Sequence, residues 1–329
     1  MNQASITEMS AEIKAGNITA LSRAITFAES KKTEHQRFAQ ALIRELMPYT
    51  GKSKRIAISG VPGAGKSTFI ETLGLYLIQK DLKVAVLAVD PSSSLSGGSI
   101  LGDKTRMEEL SKSDMAYIRP SATGGSLGGI TARTYESVLL CEAAGFEIIL
   151  VETVGVGQSE TLVHFVTDFF LFLQVSGTGD DLQGIKRGIM EMADLIFLNK
   201  TDLYDPKIVQ DTKMNMHRSL QFLPAKKSGW KRKVLKGSGY SNIGIDEVWQ
   251  RTEEYFDLII QNGYLEKIRL DQKLMRVNDY LEEIIINRLN QNKDLQSNIT
   301  KSKAQLTSDE ITPYQLSLQL LETHFPMKS

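Results

Sequence analysis

Apolar positions along this chain follow two rhythms. In "NITALSRAITFAES", Leu21, Ile25 and Ala28 recur at helical spacing behind Asn17, a residue type suited to an N-cap. "HQRFAQALIRELM" repeats the rhythm with Phe38, Ala41, Leu42 and Leu46, and "PYTGKSK" breaks it, so residues 5 to about 48 read as helical. From about residue 263 the rhythm returns in Leu274, Val277, Leu281, Ile284 and Ile285, and Ile286 extends it onto a neighbouring face. That apolar surface suits either an oligomer contact or an ordinary core helix. "NQNKDLQSNITKSKAQ" (290–305) reads as a polar connector. "ITPYQLSLQLLETHF" reads as a closing helix, with Thr312 as N-cap and Pro313 at its first position.

Between these regions the rhythm changes to short apolar runs. They are "RIAIS" (55–59), "KVAVLAVD" (83–90), "MAYIRP" (115–120), "FEIILVE" (146–152), "DFFLFLQV" (168–175), "LIFLN" (195–199) and "KVLKGS" (233–238). Several lack period-two alternation, as strands do when both faces are covered. Amphipathic segments separate them, so the expectation is an α/β fold, a mostly parallel sheet wrapped by helices. The expected organisation is an N-terminal helical segment (1–49), a central domain (50–262) and a C-terminal helical segment (263–329).

Composition narrows the classes. In 329 residues, 39 Lys and Arg balance 39 Asp and Glu, so net charge gives no reason to expect nucleic acid or an anionic membrane surface. The single cysteine, Cys141, excludes an internal disulfide and suits a reducing, cytoplasmic compartment. The amino-terminal segment lacks an apolar signal core, and no stretch approaches the ~20 apolar residues that cross a bilayer. The four histidines, His35, His164, His217 and His324, lie far apart, and no pair has metal-ligand spacing.

Chemistry concentrates in the central region. "GVPGAGKST" follows the first strand, opens a helix, and fits G-x-x-x-x-G-K-[ST]. In such a P-loop the amides of Gly60, Val61, Pro62's neighbours, Gly63, Ala64 and Gly65 wrap phosphates, and the helix start at Lys66, Ser67 and Thr68 adds its positive end. Lys66 would reach the β and γ phosphates and Ser67 would place its hydroxyl on Mg²⁺. "NKTD" (199–202) closes a buried strand. Asp202 can accept from both N1–H and the 2-amino group of guanine, a pair of donors adenine lacks. Asn199 would contact the base edge and brace the loop, and the Lys200 stem would lie along the ring. In "KGSGYSNIGIDEVW" the backbone and Ser238, with Gly239 and Tyr240 beside it, would meet the O6 side of the base, or form a plain β–α turn.

"ILVETVGVGQSE" (149–160) resembles the D-x-x-G switch of GTPases, with Glu152 one methylene longer than aspartate and Gly155 three places on. Val156 stands where a catalytic glutamine would be, and Gln158 is a candidate substitute for orienting water. Asp90, ending the second strand, and Asp103, in "GGSILGDKTRM", complete a set of oxygen ligands with Ser67 and Glu152 that suits Mg²⁺. Asp103 also fits a helix-start acid in a solvated loop.

With these motifs together, the chain resembles the MeaB/ArgK-type GTPases, chaperones associated with methylmalonyl-CoA mutase. "GVPGAGKSTFIETLG", "AVDPSSSLSGGSILGDKTRM", "RPSATGGSLGGITART", "ILVETVGVGQSE" and "DDLQGIKRGIMEMADLIFLNKTDL" carry the resemblance, which covers nearly the whole chain. It implies a SIMIBI-like P-loop NTPase fold binding GTP, GDP and Mg²⁺, a homodimer formed through a C-terminal arm, and an adenosylcobalamin-dependent acyl-CoA mutase as partner. Hydrolysis would gate cofactor loading and protect or reactivate the mutase. It also implies that Asp90, Asp103 and Glu152 belong to the Mg²⁺ and switch regions, and that Gly177 to Lys186 form a further switch with Lys186 its notable charge. Two departures stand out. Gly237-Ser238-Gly239 replaces the more usual Ser-Ala, which would leave the base-side turn less fixed. Val61 takes the place of the extra lysine of related dimerising NTPases. With no cis glutamine at position 156, the expectation is slow intrinsic turnover that a partner accelerates. A nucleotide-dependent scaffold with incidental hydrolysis, a metal-insertion GTPase and a kinase-like ATPase of amino-acid transport are the alternatives.

Two weaker features remain. "SATGGSLGGITART" (121–134) suits a mobile contact loop or a plain flexible turn. "KKSGWKRK" (226–233) is basic and reads as a solvated loop rather than an RNA contact.

Overall fold

The structure, a computed structural model, describes residues 3–89, 107–121, 127–153, 163–176, 187–308 and 310–325. Seven strands form one sheet: β1 (Lys54–Gly60), β2 (Val84–Val89), β3 (Ala116–Ser121), β4 (Ile148–Thr153), β5 (Phe169–Val175), β6 (Leu195–Asn199) and β7 (Lys233–Lys236). Their order is β3-β2-β4-β1-β5-β6-β7 and every pairing is parallel. These are the expected seven runs, with ends moved by a residue or two. β2 and β4 are buried along their whole lengths, the cause of their continuous apolar sequence.

Alternate residues of each strand feed two cores. One face packs Ile56, Ile58, Leu150 and Phe197 against Phe69, Ile70 and Leu73 of the helix that follows β1. The other packs Ala57, Val151, Phe170 and Ile196 against the helix Leu127–Ala143 and three amino-terminal helices. These are α1 (Gln3–Lys14), α2 (Ile18–Glu29) and α3 (Thr33–Leu46). Asn17 caps α2 as expected, its Oδ1 accepting from Ala20 N at 3.0 Å. The helix α4 (Lys66–Ile78) starts directly behind the phosphate-type loop.

A polar clamp occupies the amino ends of β1 and β5. Arg55 donates to both oxygens of Glu142 at 2.9 Å, and the Gly51 amide reaches Glu142 Oε2 at 2.8 Å. Asp168, just before β5, accepts from Arg269 Nε at 3.0 Å and Nη2 at 2.7 Å. The same Nη2 reaches the Ser53 carbonyl at 2.6 Å, which ties the start of helix Tyr264–Gln291 to the sheet.

The chain divides into two compact units, Met1–Leu274 and Met275–Ser329. In the second, helices Lys293–Lys301 and Pro313–His324 bury Leu295 and Leu316. Thr312 caps the latter with a full capping box, and Pro313 follows it.

Two sequence expectations are corrected. The polar connector 290–305 is largely helical, Lys293–Lys301 and Lys303–Thr307, because Asn292 caps the first helix and Leu295 supplies a buried anchor. The basic stretch 226–233 is a solvated loop only in part: Lys227 and Lys231 are exposed, but the loop is anchored. Trp230 is buried with its Nε1 on the Asp194 carbonyl at 3.0 Å, and Lys226 pairs with Asp194 at 2.9 Å.

Candidate functional site

The site is assembled at the carboxyl ends of the strands, the ligand crevice of open parallel sheets. β1 runs out at Gly60, where a Cβ would fall 2.5 Å from the Leu173 carbonyl oxygen of β5, so only glycine fits between the strands. The loop then turns through Val61, whose amide reaches Leu173 O at 3.3 Å, exposed Pro62 and Gly63, and buried Ala64. Gly65, left-handed at φ +81°, sets the start of α4. Lys66 Nζ donates to Gly60 O at 3.1 Å, so the ammonium lies over the loop mouth. Ser67 Oγ donates to Glu152 Oε1 at 3.3 Å, and Thr68 is exposed one position on. Glu152 is buried near the end of β4, paired with Ile58 of β1 and Ala88 of β2. A hydroxyl and a buried carboxylate are thus brought together beside a loop of backbone amides, an arrangement suited to phosphates and a hard cation.

The end of β6 supplies the other half. Asn199 is buried, and its Nδ2 donates to Ala64 O at 2.7 Å. Its Oδ1 accepts from Gly239 N at 2.8 Å, so one side chain braces the phosphate-type loop and the turn after β7 together. Lys200 is left-handed at φ +60°, and its Cε lies 3.4 Å from where a Gly65 Cβ would be. Asp202 follows in a short 3₁₀ turn, exposed, with Oδ2 accepting from Ser241 Oγ at 3.0 Å. Hydrogen bonds from Ser238 and Ser241 hold its carboxyl below the usual range.

The base-side turn corrects a third expectation. Gly237-Ser238-Gly239 is well fixed: Ser238 and Ile243 exchange backbone hydrogen bonds at 3.0 and 2.9 Å, and Thr72 Oγ1 donates to Gly239 O at 2.7 Å. A Cβ at Gly239 would sit 3.0 Å from Phe69 Cα, so glycine there permits close packing on α4. Tyr240 stands 86% exposed at the tip.

Lys66, Ser67, Glu152, Asn199, Lys200, Asp202, Ser238 and Gly239 therefore converge. Asp90, Asp103, Gly155 with Val156 and Gln158, and Lys186 lie outside the described residues. The motif spacing passes over Thr72, Ser241 and the buried Thr153–Ser59 hydroxyl pair at 3.0 Å. Thr72 lies on the helix that the loop opens, and its position one turn after Thr68 is the one signal available. No sequence pattern marks Ser241.

A family model described as "Methylmalonyl Co-A mutase-associated GTPase MeaB" matches residues 21–294. The chain belongs to the MeaB family. The match spans the phosphate-type loop, Glu152 and the 199–202 tetrapeptide in one frame. "GTPase ArgK" of Escherichia coli (strain K12) is 41% identical over 313 residues, covering 95% of each chain. "Methylmalonic aciduria type A homolog, mitochondrial" of Mus musculus is 39% identical over 311 residues, 91% of this chain and 74% of that protein. The crystal structure of an LAO/AO transport system kinase superposes with a TM-score of 0.75 at 34% identity, covering 98% of both chains. This MeaB-family member is a GTPase, and its ligand is a guanine nucleotide. No helix among the described residues is long and apolar enough to cross a membrane.

Proposed function

We propose that this GTPase is the chaperone of an adenosylcobalamin-dependent acyl-CoA mutase, using GTP hydrolysis to gate cofactor loading and to protect or reactivate the mutase. The family description and the name of the mouse relative support the partner class. The observation that carries the hydrolytic part is the convergence of Lys66, Ser67 and Glu152 at the carboxyl ends of β1 and β4.

In this reading Lys66 swings from the Gly60 carbonyl onto the terminal phosphates, and the amides of Val61 and of residues 63 to 68 hold the remaining oxygens. The Ser67 hydroxyl and the Glu152 carboxylate, 3.3 Å apart, fit Mg²⁺, with Asp90 and Asp103 proposed to join them from the sequence. Bound there, the ion would neutralise charge on the phosphate oxygens. Glu152's burial favours an indirect reach through water. Asn199 and Asp202 hold the base, with Lys200, Ser238, Gly239 and Tyr240 around it. Gly155 and Lys186 are proposed as switch residues that a partner orders. Phosphoryl transfer to water needs positioning and charge stabilisation above all, so turnover is slow until a partner completes the site.

We also place the protein in the cytoplasm as a homodimer. Leu274, Val277, Leu281, Ile284, Ile285 and Ile286 are 49% to 57% exposed along helix Tyr264–Gln291, a run of apolar surface suited to a second copy.

The test is a pull-down with purified acyl-CoA mutases followed by GTPase assay. A stable complex and at least about tenfold stimulation are expected, both lost on Lys66→Ala. Full GTPase activity without partner, or support of the mutase by Lys66→Ala, would overturn the proposal. The name of the solved relative favours a second reading, a transport system kinase. Transfer of phosphate from ATP to an acceptor, with ATP preferred over GTP, would establish that one instead.

A further inference from the structure

The geometry points to Ser241 as a positioning residue for base selection, a donor that fixes the Asp202 carboxylate in the orientation that a guanine edge requires. The inference rests on the guanine-nucleotide reading above and concerns how this particular chain achieves the selection.

Asp202 sits exposed on a 3₁₀ turn that spans only Thr201–Leu203. An exposed aspartate on such a turn samples several rotamers, and each must be frozen when a base binds. Ser241, together with Ser238, restricts that freedom, because its Oγ donates to Asp202 Oδ2 at 3.0 Å. The donor is itself well held. Ser241 N donates to Ser238 Oγ at 3.1 Å, and Ser238 is buried and bridged to Ile243 in both directions. Gly237 N is bonded to Leu198 O at 2.9 Å, Gly239 N to Asn199 Oδ1 and Gly239 O to Thr72 Oγ1. Asn242, left-handed at φ +54°, closes the turn and brings the chain back to Ile243. The hydroxyl is therefore presented by a turn pinned to β6 and to α4, the same elements that carry the rest of the site.

The chemistry of the recognised edge follows. A carboxylate has about four acceptor sites on its two oxygens, so a bond from Ser241 leaves each oxygen able to accept once more. Guanine offers two parallel donors, N1–H and the 2-amino group, and needs both oxygens in one plane. Hypoxanthine offers only N1–H, and xanthine puts a carbonyl opposite one oxygen. Orienting the carboxylate therefore helps a two-point contact more than a one-point contact. Ser241 would contribute to selectivity between purines rather than to phosphate chemistry. The lowered proton affinity of the Asp202 carboxyl, caused first by Ser238 and also by Ser241, is consistent with this constraint.

The test compares Ser241→Ala, Ser241→Val and Ser241→Thr in the full chain, measuring Kd for GTP, ITP and ATP by fluorescence competition and kcat at saturating GTP. Alanine and valine are expected to weaken GTP about three- to tenfold and ITP about twofold or less, narrowing the GTP/ITP ratio. Threonine, which keeps the hydroxyl, is expected to restore the ratio, and kcat is expected to stay unchanged in all three. A GTP/ITP ratio unmoved by alanine and valine, while Asp202→Ala collapses GTP preference over ATP, would overturn the inference and leave the guanine reading standing. A wild-type protein that fails to prefer GTP over ATP would overturn that reading itself. Thermal melting of each variant checks that the exposed substitution leaves the fold intact, and equal loss in valine and threonine variants would count against the hydroxyl.

Discussion

His164 stands just ahead of β5 with its ring edge-on to Phe165 and Phe170. Burial lowers its proton affinity, Lys226 adds to that effect and Asp194 opposes it. A histidine whose folded pKa lies below its unfolded value binds protons more readily when unfolded. Its contribution to stability is therefore present above the unfolded pKa, about 6.5, and is lost as pH falls through the folded pKa. The melting temperature is expected to drop across that window in buffered thermal scans, and a His164→Phe variant is expected to show a flatter profile there. Equal pH slopes in both proteins would rule this out. At this scale the sequence was legible where one residue carries a local duty, as with the caps Asn17 and Thr312, or the lysine of the loop. It was silent on Ser241, whose partner lies far along the chain and whose neighbours show no periodic pattern. The anchoring of stretch 226–233 is not visible locally, because Trp230 stands alone among basic residues and its partner, the Asp194 carbonyl, lies far along the chain.

At the scale of elements, β1 joins two kinds of chemistry. Its carboxyl end opens into the loop at Gly60, while its amino end holds Arg55 against Glu142 with side chains 3% and 1% exposed. A buried, bidentate pair of this kind owes its stability to completeness, since removing one partner leaves a charge without compensation. Glu142→Ala is expected to lower unfolding free energy by about 3–5 kcal/mol in urea titration, whereas a paired Arg55→Met, Glu142→Leu variant is expected to recover most of it. A single variant no less stable than the double would contradict this. The strands were legible because burial on both faces forces continuous apolar runs of strand length. The helix Lys293–Lys301 was not, because only Leu295 of its two apolar residues is buried, Ile299 being exposed, and its cap, Asn292, sits in a polar tract that resembles a linker. The base-side turn escapes a local reading for a related reason: glycine suggests slack, but at Gly239 it permits contact with Phe69, a tertiary fact that no local window contains.

For the molecule as a whole, the proposed dimer gives the exposed apolar run of helix Tyr264–Gln291 a role. Placing a charge near its carboxyl end, Ile285→Asp, is expected to convert the protein to a monomer in sedimentation analysis while its circular dichroism and GTP affinity hold. A variant that sediments as the wild type does would remove that run from the interface. The central sheet and the loop were readable as a pair because both depend on sequence-local rules. Convergence of the loop, β6 and the turn after β7 was readable only through motif order, and the side chain that joins them was visible as one letter of a tetrapeptide. Asn199 gives that letter a further consequence. It clasps the loop that would hold phosphates with one atom and the turn that would hold a base with another. The two ends of a nucleotide would then share a fastening, so releasing either end loosens the other. A fragment such as guanosine or pyrophosphate would be held less firmly than its own contacts suggest, and the protein would respond to the intact nucleotide as a single object.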